Sequence, residues 1–164
     1  MLAGSGHFTD EDCVCMGAGS DMICSFSHHT AFARKDRERF LSDANKALDE
    51  AREYFRKCSK VIITLGTSWC FRHIERDFIV SNCLKRPAGE FVRERLDTSQ
   101  VSSALKEIIS ICKDGSTGRE KDIIFTVSPI RHFKDGAHGN QLSKAALILG
   151  IDEALEEGTE YFPA

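Results

Sequence analysis

The chain has 164 residues, with 25 acidic and 22 basic groups, a formal net charge of −3, 41% hydrophobic residues and 29% charged ones. That balance excludes a disordered acidic tail and a low-complexity linker, and it fits one domain with its own core. Mild acidity argues against a nucleic-acid partner, because phosphate binding is driven by clustered Lys and Arg.

Residues 1–21 are rich in Gly, Ser and Asp, keep no period, and read as a loose lead-in to a domain over 22–164. The first residues have neither the basic start nor the apolar stretch of a signal peptide, so the default expectation is cytoplasmic, with the localisation of any parent protein left open. Residues 22–27 alternate and suit a short strand. His28 and His29 after it are expected at the surface. Asp36 is a candidate N-cap. Phe40, Leu41, Ala44, Leu48, Ala51, Phe55 and Cys58 then recur at helical steps and form one apolar stripe.

Residues 61–65, a β-branched run closed by Gly66, suit a strand buried on both faces. Residues 69–82 read as a hairpin turning at Glu75, Arg76 and Asp77. Asp97 opens a second helix with Gln100 at the capping-box position. Val101, Leu105, Ile108, Ile109 and Cys112 make its stripe. Residues 122–127 form a second strand, stopped by Pro129. A polar loop follows, and Asn140 is the expected N-cap of a third helix over 141–157, apolar over a wide arc and expected to be well buried. The last residues begin another strand. No apolar run approaches the roughly 20 residues that span a bilayer, so no membrane partner is expected. Alternation of short apolar strands with amphipathic helices predicts an α/β fold with parallel strands.

Seven cysteines at irregular spacing make a poor disulfide framework and read as reduced thiols. Cys13 and Cys15 lack the spacing of a zinc site, and His132, Asp135 and His138 match no known metal pattern, so no metal or cofactor is expected.

In parallel sheets chemistry gathers beyond the carboxyl ends of the strands. Two segments occupy that place. Gly66, Thr67 and Ser68 offer N–H and hydroxyl donors to an oxyanion, or simply turn the chain into the hairpin. The second segment holds Arg131, His132, Asp135, His138 and Asn140. Its histidines can move a proton, Asp135 can orient an imidazole, and Arg131 or the N–H groups of the following helix can hold an anion. A loop of this composition can equally serve to tie down its own backbone. Ser128 lacks the surroundings of a nucleophile elbow.

Residues 124–144 (IFTVSPIRHFKDGAHGNQLSK), together with 63–69 (ITLGTSW), 82–87 (NCLKRP) and 161–164 (YFPA), closely resemble the GSCFA domain family. That family is related to the SGNH (GDSL-type) hydrolases. The resemblance implies a flavodoxin-like three-layer α/β/α fold, ester or acyl hydrolysis by an N-terminal serine and an Asp-x-x-His base, and a small acylated substrate, a carbohydrate ester among the candidates. The GSCFA motif is absent here: Gly17-Ala18-Gly19-Ser20 and Gly4-Ser5-Gly6-His7 do not match it. The Asp-x-x-His element is absent too, and Ser68 stands where SGNH relatives place an asparagine. The expectation is therefore an incomplete domain carrying the rim of the site without an assignable nucleophile, inactive alone, with unpaired edges that favour self-association or the missing strands. A non-catalytic binding or interaction module derived from such a hydrolase is the alternative.

Overall fold

A computed structural model describes residues 2–17, 19–131 and 133–163, with the side chains of Thr117 and Phe133 left out. In chain order the elements are β1 (Val14–Cys15), β2 (Ile23–Cys24), α1 (Arg37–Lys57), β3 (Lys60–Leu65), β4 (Trp69–His73), β5 (Phe78–Val80), β6 (Phe91–Arg95), α2 (Thr98–Lys113), β7 (Asp122–Val127), α3 (Gly136–Ala154) and β8 (Thr159–Phe162). The class is α/β, with a parallel sheet and an antiparallel hairpin. No helix of the described residues is long and apolar enough to cross a membrane. The chain divides into two compact units, residues 1–54 with 70–94, and residues 55–69 with 95–164.

In the first unit the segment read as a loose lead-in carries a 3-10 turn at Asp10–Asp12 and the short strand β1, which pairs antiparallel with β2. The α1 helix begins where Asp36 accepts the Arg39 N–H at 2.7 Å, as its capping chemistry requires. Phe40, Ala44 and Leu48 of α1 are buried with Phe8, Val14, Cys24, Phe26 and Leu84. The β4–β5 hairpin turns through Asp77 at φ +48°, a left-handed value that Asp tolerates. A third strand, β6, lies on the other side of β4.

His28 is not at the surface. It is half-buried, with its ring centroid 4.6 Å from that of Phe8 and 4.9 Å from that of Phe32. Its Nδ1 lies 2.7 Å from Ser25 Oγ, which also accepts the Ser27 N–H at 3.2 Å. Ser25 is only 2% exposed, so this serine–histidine pair fixes a turn and offers no accessible nucleophile. His29 is exposed, as expected for both.

In the second unit the sheet order is β3-β7-β8, all parallel. The two crossovers contain α2 and α3, and both run in the same direction along the sheet. Right-handed connections then place both helices on one face. Val101, Leu105 and Ile109 of α2 and Leu147 and Ile151 of α3 are buried against Ile123, Phe125 and Val127 of β7. The capping box of α2 is complete: Gln100 N donates to Asp97 Oδ1 at 2.8 Å and Asp97 N to Gln100 Oε1 at 3.0 Å. Lys121 is 1% exposed; its ammonium lies 4.3 Å from the Phe55 ring centroid and donates to Arg119 O at 2.6 Å. Such contacts let a cation tolerate burial.

Two expectations need correction here. The β3 strand is not buried on both faces: Val61, Ile63 and Leu65 are half-buried, whereas Ile62 is 68% exposed. It lies at the end of the strand order, and the helices cover one face of it. Phe162 of β8, on the same side as Ile62 by register, is 62% exposed. Nor is α3 buried over its whole apolar arc. Ala146, Leu147, Ile151 and Ala154 are buried, but Leu142, Ala145, Ile148 and Leu149 face outward, because a helix presses only one stripe onto a sheet.

Candidate functional site

Register creates the site. Leu65 of β3 pairs with Val127 of β7, so Gly66 and Ser128 leave the parallel sheet side by side. Ser128 N donates to Leu65 O at 2.9 Å, extending the ladder by one bond beyond the strands. The chain after β7 turns at Ser128, whose Oγ accepts the Ile130 N–H at 3.3 Å, and then forms a 3-10 turn at Phe133–Asp135.

The α3 helix starts earlier than its sequence suggests. Asp135 is the N-cap and Gly136 the first helical residue, so Asn140 lies inside the helix rather than capping it. Gly136 has φ +68°, which lets the chain pass from the 3-10 turn into the helix without a Cβ penalty. The asparagine resembled a cap because Gly136 and Gly139 are poor helix formers; position 136 needs one of them for the turn.

The early start places Ser143 and Lys144 over the strand ends. Lys144 Nζ donates to Gly66 O at 2.5 Å and to Ser128 O at 2.6 Å, so one ammonium bridges the carbonyls of both loops. Burial lowers the pKa of this half-buried lysine from its ordinary value. Ser143, 2% exposed, accepts the Ser68 N–H at 2.7 Å; its Oγ lies 2.9 Å from Thr67 Oγ1 and 3.3 Å from Ser68 Oγ. Trp69 N in turn donates to Thr67 Oγ1 at 3.2 Å. The Ser68 and Trp69 amides are therefore occupied. Within the Gly66-Thr67-Ser68 segment, the Ser68 amide and hydroxyl are thus both turned to Ser143.

Of the residues expected at the site, Arg131 and Asn140 join Lys144, Ser128, Ile148 and Tyr161 around a cleft of about 260 Å3. The same Arg131 and Asn140 line a smaller cavity of about 150 Å3 with Ala137 and Gln141. Asp135 is half-buried at the head of α3 and His138 is exposed in its first turn. His132 lies outside the described residues. Among the described residues no group of three or more His, Cys, Asp or Glu side chains is arranged to hold a metal.

Sequence reasoning missed Ser143 and Lys144 as site residues. A signal existed for the serine: it falls on the stripe of Ala146, Leu147, Gly150 and Ile151, and a hydroxyl on a buried stripe needs a partner. Lys144 carried none, since a helical lysine ordinarily reads as a solvated one.

Comparison with curated proteins and with solved structures found no match. The model of the GSCFA family matches residues 3–164, a span that holds both strand-end loops and the Ser143–Lys144 clamp, and the chain belongs to that family.

Proposed function

We propose that this chain forms the substrate-facing wall of a site that hydrolyses an ester or acyl bond. The supporting observation is the exit of Gly66 and Ser128 side by side at the strand carboxyl ends, bridged by Lys144. Acyl transfer needs fixed donors aimed at an oxyanion and a group that moves a proton. Asn140, lining the cleft, is the donor in this reading, and His138, exposed two residues earlier in the first turn of α3, is the candidate proton carrier. Ser68 and Ser143 are both buried and bonded to each other, so neither is the attacking group.

The test is hydrolysis of p-nitrophenyl acetate by a protein carrying this chain, with Asn140→Ala and His138→Ala. Removing an oxyanion donor lowers kcat about 100-fold or more, and removing the proton carrier lowers it by a similar factor. Rates unchanged in both variants contradict the reading. A second reading, a non-catalytic module that binds an acylated ligand, draws on the engagement of Ser68 and Ser143 in structural bonds. Covalent labelling of a serine in this chain by a fluorophosphonate overturns the second reading. Ligand binding with neither labelling nor turnover overturns the first.

A further inference from the structure

We infer that the cleft beside the ends of β7 and β8, under α3, binds an anionic oxygen group, a carboxylate or a phosphate, carried by the ligand. Among the described residues, those around it include two cations, Arg131 and Lys144, and no Asp or Glu. Some other arginines are committed to acids. Arg86 grips Glu90 through two nitrogens at 2.5 and 3.0 Å, and Arg72 reaches Glu94 at 3.1 Å. Arg131 is exposed, and among the described residues its guanidinium has no ion pair or hydrogen bond. An unpaired guanidinium beside a concave surface presents its planar fork to two oxygens at once.

Lys144 supplies the second contact. An ammonium has three hydrogens, and two are directed to Gly66 O and Ser128 O. Those carbonyls hold the nitrogen and leave one hydrogen for a ligand. Burial makes an isolated ammonium costly there, and an incoming anion offsets that cost. Ile148 and Tyr161 give the same cleft an apolar side, so the ligand this chemistry recognises joins an anionic group to an apolar or ring-bearing body. In the hydrolase reading this group is a second anchor of the substrate, beside the reacting acyl group. The binding itself does not depend on that reading.

The experiment titrates the whole chain with inorganic phosphate, with acetate and with uncharged acetamide at constant ionic strength, following amide chemical shifts by NMR. Wild type, Arg131→Gln and, as a control, Arg119→Gln are compared; Arg119 is exposed on the loop before β7. Saturable shifts in residues around 128–144 with phosphate or acetate, and none with acetamide, are expected. The stronger of the two anions identifies the class. Arg131→Gln weakens binding about tenfold or more, the loss of one charge-assisted contact, and Arg119→Gln leaves it unchanged. No saturable binding of either anion, or an equal loss in both variants, overturns the inference. Because no turnover is read, failure of the hydrolase reading leaves this result standing. Loss of hydrolysis in Asn140→Ala without any anion binding overturns this inference alone.

Discussion

At the residue scale, Ser143 shows how position outweighs residue type. A serine in a helix ordinarily faces solvent or bonds back to its own carbonyls. Here it sits on the buried stripe of α3, and its one oxygen meets Thr67 Oγ1, Ser68 N and Ser68 Oγ. The phrase around it was legible as a family signature, yet the hydroxyl hub was not, because its partners lie 75 and 76 positions away. His28 makes the complementary point. Residues on either side of it read as polar, and only the return of Phe8, Phe32 and Phe40 to its ring buries it. That burial lowers its pKa below the ordinary histidine value; the charge of Asp12 pulls the other way and is the weaker influence. The folded form thus resists a proton that the unfolded chain accepts near pH 6.5. Its stabilising contribution is complete above that pH and is lost as the pH falls below it toward the depressed folded value. Urea titrations across this window show a decline in stability with acid for wild type and a flatter limb for His28→Gln. An equally steep limb in the variant contradicts the assignment.

At the element scale, the helices and strands that were legible carried two independent signals. The α2 helix had both an apolar stripe and the Asp97–Gln100 box, and both are present. The β3 and β7 strands had β-branched runs with a glycine or a proline after them. The β6 strand escaped notice because three of its five residues are charged, and its place at the end of the sheet order allows that. The β1 strand is two residues long, too short to show a period. The contact of α2 with α3 was also hidden, since it depends on a missing side chain. A Cβ at Gly150 would lie 2.5 Å from Val101 Cγ1 and 3.2 Å from Ser102 N. Valine is stiff at χ1, so it cannot swing away. Gly150→Ala therefore destabilises by about 1–3 kcal/mol in chemical denaturation. Adding Val101→Ala, which opens the space, costs less than the two single changes summed. Strict additivity would contradict close packing at this crossing.

At the scale of the whole molecule, the second unit places loops from two strands and the first turns of one helix at one end of a sheet. Parallel pairing alone brings Gly66 and Ser128 together; the Lys144 ammonium then fixes them relative to each other. Apart from its ligand contact, Lys144 thus positions the two loops, and its loss loosens them without emptying the core. The most direct test is p-nitrophenyl acetate hydrolysis by a protein carrying this chain, comparing Lys144→Met, Lys144→Arg and wild type, with thermal melts alongside. The account predicts that Lys144→Met keeps a cooperative melt and a nearly unchanged KM while kcat falls about tenfold or more, as misplacement of reacting groups implies, and that Lys144→Arg recovers part of the rate. A wild-type kcat in the folded Lys144→Met protein, or no hydrolysis by the unaltered protein that carries this chain, would contradict it.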